Sequence, residues 1–343
     1  MTTTTTSGGQ PPQPSAEPRL IPDLPDDVSI NCLSRIPRYY YPKLSLVSRS
    51  WRSAITSSAL FTTRSLLHTT QTSLYLILRI NYSFHWYPLL YNCHSRKIPQ
   101  KPIFSLPRIP FQPVGPAFAA LGPKIYVIGG SINKTPSNSM WVYDCRFNRW
   151  AEGPRMMVGR EFAAAGVVNG KIYVLGGCLV DSWAEVFDPD TGLWAPVPSP
   201  IEVRENGMHA SAVVEGRGGV VYDIGLGNWG KVSKRAAVVR GVLYCCDYLG
   251  KIRGYDVEKG VWKKLKGVRL PIFSCGATMV NFDGRLCVVW EKKGSGKEVE
   301  IKCADIEVWK EEDGKLDGRI LWSGVILKVP DGAAIVHCMA AEF

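Results

Sequence analysis

The sequence predicts a mainly β protein with a small α-helical domain in front, and three observations carry that prediction. A strand-like stretch ending in a Gly pair occurs twice, at residues 124–130 and 171–177, and the copies differ only at Ile128 against Leu175. An aromatic-Asp pair followed six residues after the Asp by Trp occurs four times. Upstream, residues 20–65 carry helical rather than strand periodicity. A repeat at near-fixed spacing is read before any single motif.

The repeated stretch alternates and is rich in β-branched and aromatic residues, so it reads as a strand. Its Gly pairs, Gly129-Gly130 and Gly176-Gly177, end it. The turn motif follows: Tyr143-Asp144 with Trp150, Phe187-Asp188 with Trp194, Tyr222-Asp223 with Trp229, and Tyr255-Asp256 with Trp262. Two residues before each Trp stand Asn148, Gly192, Gly227 and Gly260, which accept a left-handed backbone. A short hairpin loop explains the spacing, with the Asp holding backbone amides and the Trp re-entering a strand to pack.

A Gly pair, then Tyr or Phe, then Trp seven residues on resembles the kelch repeat. The resemblance covers about residues 74–343 and is strongest at the two copies with Gly pairs. It implies a kelch-type β-propeller of about six blades, one degenerate or incomplete, used as a binding platform. Blade one would be degenerate, starting at 73–80 with a second strand and no inner one. Blades two and three span about 113–155 and 156–200. Blade four is irregular, because the lysine-led strand is missing between residues 209 and 223. Blades five and six run from 235 to 262 and from 272 to 329, with a solvated tip at 311–317. The β-type run 334–340 is expected to close the ring as the missing inner strand of blade one, since an open seam exposes unpaired edges.

The helical stretch reads as three helices. The first has Asp23 as N-cap with Pro25 near its first turn, and Pro37 ends it. The second spans 43–52 with Leu44, Val47 and Trp51 on one stripe. The third covers about 54–60. Leu24-Pro25, Ile30, Leu33, Ile36-Pro37, Leu44, Val47-Ser48-Arg49, Trp51 and Leu60-Phe61 together resemble the F-box, over residues 19–65. The resemblance implies docking onto a Skp-family adaptor and through it a cullin. Leu24, Pro25, Ile30, Leu33, Ile36, Leu44, Val47 and Trp51 are the adaptor-contact residues it implies. Residues 1–18, mostly Thr, Pro, Gln and Gly, read as a disordered tail.

Composition excludes several classes. The 343 residues suit a small domain plus a propeller. No secretory signal and no run of the ~20 apolar residues a membrane helix needs occurs, so no membrane partner is expected. The ten Cys form no CxxC pair and read as reduced. The net charge is +11, and 13 of the 41 Lys and Arg lie between Asp27 and Asp144, a stretch with no acid. They are dispersed, without a basic helix or stacking platform, so nucleic acid is not expected. Residues 225–230 spell GxGxxG, but no helix pattern follows and two of these residues belong to the repeated turn, so no cofactor is expected. Cys93, His94 and His85 lack a fourth ligand at zinc spacing, so no metal is expected. No nucleophile, base and acid are arranged as a triad, and the chain reads as a non-enzyme.

The expectation for function is the substrate-recognition subunit of a Skp-cullin-F-box (SCF-type) ubiquitin ligase in cytoplasm or nucleus, with no catalytic residue of its own. The alternative is a kelch scaffold acting outside a ligase. Recognition on such a platform falls to loops. The loops after the Gly pairs and the residues before the inner strands are the expected target contacts: Arg160, Trp183, Arg204, His209 and Arg235. Arg there suits an acidic or phosphorylated target, and Trp183 an aromatic anchor.

Overall fold

Residue Pro25, with its fixed φ, leads directly into the first helix, α1 (Asp26–Ser34), and Asp26 and Asp27 occupy the first turn, where the helix dipole favours acids. The computed structural model describes residues 19–89, 106–107, 109–110, 112–178, 182–198, 236–246, 249–256, 261–272, 277–294 and 296–343. Asp23 is not the cap: it holds a left-handed turn with φ 63°. Its expected role is filled by neither carboxylate, and Asp26 instead accepts the Leu20 N–H at 3.0 Å. A short 3-10 turn (Arg38–Tyr40) leads into α2 (Tyr41–Leu44), then come α3 (Arg49–Ile55) and α4 (Ser58–Leu66).

The expected helix over 43–52 is broken, and the third starts later than expected, for one physical reason. The Ser48 hydroxyl accepts the Trp51 N–H and the Ser57 hydroxyl accepts the Leu60 N–H, so each serine starts a new helix. Leu20, Leu33, Tyr41, Ala54, Ile55 and Leu60 form the core of this unit, with Ile30, Ile36, Leu44 and Trp51 packed against it. Buried Arg64 donates to the carbonyls of Ser34 and Ile36 at 2.8 and 3.0 Å and to the Tyr41 hydroxyl at 3.1 Å. A cation at the C-terminal end of α1 satisfies carbonyls that the helix leaves open.

The chain divides into two units between Thr69 and Thr70. The second is built of small antiparallel sheets. β1 (Thr72–Ile80) pairs with β2 (Ser83–Leu89). The next sheet has the order β3 (Ala117–Leu121), β4 (Lys124–Ile128), β7 (Met140–Asp144), β8 (Arg149–Gly153), with a hairpin of β5 (Ser131–Ile132) and β6 (Thr135–Pro136) between β4 and β7. β9 (Ala164–Val168), β10 (Lys171–Leu175), β11 (Ala184–Asp188) and β12 (Leu193–Val197) form the third. β13 (Ala237–Val239), β14 (Val242–Cys246), β15 (Ile252–Asp256) and β16 (Val261–Lys264) follow. The last full sheet holds β17 (Ala277–Phe282), β18 (Arg285–Lys293), β19 (Glu298–Lys310) and β20 (Leu316–Pro330).

The final strand, β21 (Ala334–Glu342), returns to β1 in antiparallel register, with Leu74 opposite Ala340 and Leu76 opposite Cys338. The expected closure is therefore present. Inner strands neighbour one another in the order β13, β17, β21, β3, β9, as blades of a propeller do. Five blades stand among the described residues, against about six expected. The irregular fourth blade, with Tyr222 and Trp229, lies outside the described residues, as do residues 1–18, Cys93, His94 and the 225–230 motif.

The core lies between blades. Tyr126, Ile128 and Met140 of blade two pack with Ile172, Val174 and Phe187 of blade three. Leu74, Leu76 and Leu78 of β1 pack with Cys287, Val289, Ile301 and Cys303 of the last blade, and Ile335 and Cys338 of β21 join them. The repeated turn takes the expected form where it is described. Tyr143 stands opposite Trp150, Phe187 opposite Trp194, and Tyr255 opposite Trp262. Asn148 and Gly192 are left-handed, with φ 53° and 72°. Asp144 and Asp188 each accept the backbone N–H two residues on, at 3.0 Å.

Candidate functional site

Antiparallel blades put the turns between first and second strands, and between third and fourth, at one end of the propeller. The Gly pairs and the loops that join blades fall at the other. All four glycines of the pairs are left-handed. A Cβ on Gly129 would sit 2.4 Å from the Arg160 carbonyl, and one on Gly177 would sit 2.5 Å from the Glu161 carbonyl. The loop joining blades two and three therefore runs tight against both pairs. Gly130 donates its N–H to Arg160 at 2.7 Å, and Glu161 donates its N–H to Gly177 at 2.8 Å.

Arg160 was expected to face a target, but its side chain is fully buried. It donates to the Glu185 carboxylate at 3.0 and 3.1 Å, to the carbonyls of Gly176, Ser182 and Trp183, and to the Ser182 hydroxyl and Cys178 sulfur. Every nitrogen of the guanidinium is engaged, so none is left for a target. Its partner is Glu185, on the second blade it touches, rather than adjacent Glu161. Trp183 is half-buried at the same loop end, its carbonyl accepting the N–H of Gly176 at 2.8 Å. Arg204, His209 and Arg235 lie outside the described residues.

Of the four repeated Trp residues, Trp150 and Trp194 bridge blades, from the outer strand and only half-buried, while Trp229 lies outside the described residues. Trp150 donates its indole N–H to the Pro107 carbonyl at 2.9 Å and meets Trp86 of blade one edge-on at 5.2 Å. Trp194 donates to the Pro154 carbonyl, also at 2.9 Å. In both cases a proline carbonyl ahead of the blade receives the indole, so the two copies are equivalent in contact as well as in sequence.

The two ends of the propeller differ in chemistry. The turn end is charged: Lys171 pairs with Asp188 at 2.8 Å, Arg146 with Asp144 at 2.7 Å and Lys310 with Asp256 at 2.9 Å. The Lys171 ammonium holds the Asp188 carboxyl below its ordinary value. A polar cavity of about 640 Å³ opens there, lined by Thr72, Gly122, Arg240, Asp283 and Glu342 among others. Most of the exposed large apolar side chains of the propeller lie at the Gly-pair end, namely Tyr82, Val114, Ile132, Met157, Phe162, Leu249 and Ile272, while Leu193 and Val261 are exposed at the turn end. The sequence did not single these out. Their apolar character reads as packing, and only the tertiary fold leaves them in solvent.

In the helical unit, the residues expected at the adaptor contact separate into two groups. Leu33 is fully buried and belongs to the core, so it cannot be a contact. Leu24, Ile30, Ile36, Leu44 and Trp51 are half-buried, and Trp51 spends its indole N–H on the Leu20 carbonyl at 2.7 Å. Pro25 and Val47 are exposed, with Val28 and Leu46 also exposed in the same unit.

Two family models match the chain. The F-box domain matches residues 21–63, and the FKB95 Kelch-repeats domain matches residues 86–327. F-box/kelch-repeat protein At4g39550 of Arabidopsis thaliana is 37% identical over 98% of this chain and 97% of its own length. F-box/kelch-repeat proteins At4g39590 and At4g39580 of the same plant are 34% and 36% identical, over 91% and 93% of this chain and 88% and 93% of theirs. With helices and blades matched in the order the fold presents them, and relatives aligned over nearly the whole length, the chain belongs to the F-box/kelch-repeat family of substrate adaptors.

Proposed function

We propose that this protein is the substrate-recognition subunit of a Skp-cullin-F-box ubiquitin ligase, working in cytoplasm or nucleus. The single observation that carries the reading is the pairing of an F-box match at 21–63 with a kelch match at 86–327 in one chain. The helical unit holds a Skp-family adaptor and through it the cullin, and the propeller holds a target protein. The chain itself supplies no catalytic group. Tethering raises the effective concentration of target lysines near the bound conjugating enzyme, and that proximity is the mechanism.

Exposed Pro25, Leu46 and Val47, with half-buried Leu24, Ile36 and Leu44 beside them, supply the apolar adaptor surface. The test is co-purification of the full chain with a Skp-family adaptor and cullin. Leu46→Glu with Val47→Glu should abolish it while the protein stays folded, since these side chains are 76% and 61% exposed. Retention of both partners by that folded variant, or their absence from the unaltered protein, overturns the reading.

A further inference from the structure

The turn from α2 into α3 carries charge that the fold leaves unpaired. Lys43, Arg49 and Arg52 are all exposed, and the stretch 43–52 that holds them contains no acid. None of the three forms an ion pair among the described residues. Leu46 and Val47 stand between them, 76% and 61% exposed. The group is held together in space as well as in sequence. Arg52 donates its Nε–H to the Ser45 carbonyl at 3.2 Å, beside Leu46. The N–H groups of Leu46 and Val47 donate to the Lys43 and Leu44 carbonyls, each at 3.1 Å. Arg49 and Arg52, three residues apart, share the side of α3 opposite Ala54, Ile55 and Trp51, which pack inward.

Helix stability accounts for part of this charge only. Lys43 and Arg52 close α2 and α3, where a cation suits the dipole. Arg49 opens α3, where the dipole disfavours a cation, and no acid shares that first turn. Other cations of the unit are engaged: Arg64 on carbonyls, Arg38 over the Phe61 ring at 5.8 Å, and Arg35 on Asn31 at 3.1 Å. The acids of the unit are Asp23, Asp26 and Asp27, before or at the start of α1. Asp26 is tied through Leu20 to the Trp51 indole, on the inward side of α3 and away from Arg49 and Arg52. Exposed apolar side chains inside a rim of one sign mark an interaction site and select a partner of the opposite sign.

We propose that Lys43, Arg49 and Arg52 select the partner at the adaptor-docking surface: the adaptor face that receives Leu46 and Val47 is ringed by Asp and Glu, and opposite charge steers the two proteins together. This rests on the reading that the helical unit holds a Skp-family adaptor. The test is the association rate of the full chain with the co-purifying adaptor, followed by surface plasmon resonance from low to high salt. The rate for the unaltered protein should fall steeply as salt rises, because salt screens the steering. Arg49→Glu with Arg52→Glu should slow association at least about tenfold at low salt, change dissociation little and abolish the fall with salt. Lys43→Glu should act in the same direction, more weakly. Arg49→Glu should leave the melting temperature unchanged or higher, because an acid suits the start of a helix, which separates lost binding from lost folding. Lys134→Glu, exposed on the propeller, should leave the rate as it is. An adaptor that binds at a salt-independent rate, or binds the double variant as fast as the unaltered protein, overturns this proposal and leaves the ligase reading standing. Double variants that lose binding to heparin or duplex DNA while keeping the adaptor rate also overturn it, by giving the cations to a polyanion. Absence of any adaptor from the unaltered protein overturns both readings.

Discussion

Arg160 and Glu185 meet 3.0 Å apart with neither side chain reaching solvent, and the pair fastens blade two to blade three. The Arg160 backbone belongs to blade two: its N–H donates to Ser137 and its carbonyl accepts from Gly130. Glu185 sits within β11 of blade three, and its oxygens also accept the N–H groups of Met157 and Val158 at 2.7 and 3.2 Å. A buried ion pair is tolerable only when its remaining donors and acceptors are satisfied, and here they are.

The first prediction follows from that completeness. Arg160→Met leaves a buried carboxylate without its cation and should cost about 3–5 kcal/mol. Adding Glu185→Leu to Arg160→Met should return part of that loss, because the uncompensated charge is gone. Urea denaturation midpoints measure both. A single variant as stable as the unaltered protein would show that the pair does not hold the blades.

Trp194 tests the blade alignment. Its indole is half-buried, so Trp194→Ala should cost less than the ~3–5 kcal/mol of a fully enclosed Trp. About 2 kcal/mol is expected, from part of the ring's burial and one hydrogen bond. Trp194→Phe should lose only the bond to Pro154, about 1 kcal/mol. Glu312→Ala on the exposed β19–β20 tip should change stability by less than about 0.5 kcal/mol. Equal melting temperatures for Trp194→Ala and Glu312→Ala would contradict the equivalence of the repeated Trp residues.

The blades were legible in the sequence because their signals are local. Alternation, the Gly pair and the Asp-to-Trp turn each act within a few residues, and Asn148 and Gly192 adopt the backbone their types favour. Helix boundaries were less legible. The run 43–52 keeps a helical stripe, and only the competition of the Ser48 hydroxyl for an amide breaks it. Arg160 was misread as a target contact because its partner Glu185 comes near only when two blades stack. Phe162, left-handed at φ 54°, carried no signal at all, since such a backbone is normally announced by Gly or Asn. Ring closure was legible by elimination: a blade that begins with its second strand needs an inner strand from elsewhere.

Lys171 and Asp188 give a pH dependence whose sign can be worked out. Hydrogen bonding and charge from Lys171 lower the Asp188 carboxyl from its ordinary 3.8, and the same contact raises Lys171 from its ordinary 10.5. The carboxyl's share of stability is present above 3.8 and lost as pH falls through its depressed folded value. The ammonium's share is present below 10.5 and lost as pH rises through its raised folded value. The difference in melting temperature between the unaltered protein and Lys171→Met should therefore be widest between those limits and vanish in strong acid. Lys171 is exposed and Asp188 is half-buried at the surface, so added salt should shrink it. A difference that persists unchanged at acid pH would assign the effect to lost packing of the lysine stem.

Closure of the ring is the most severe test of the fold. β21 pairs with β1 on one side and neighbours β17 and β3, so one strand seals the first blade and touches the inner strands of both flanking blades. Gln71 and Phe343 exchange backbone hydrogen bonds at the end of this pairing, at 3.0 and 3.3 Å. Deleting 334–343 would open the edge of β1 and strip cover from Leu74, Leu76 and Leu78, each fully buried. An exposed apolar edge invites pairing with other chains. The truncated protein should therefore aggregate on expression and show no cooperative thermal transition. Supplying the segment 334–343 as a separate chain during expression should restore soluble protein, because the missing part is a strand with a defined register rather than bulk. A truncated protein that stays monomeric with an unchanged melting temperature would remove the seam from the account of stability. Failure of the added segment to rescue would indicate that closure requires covalent continuity with β20.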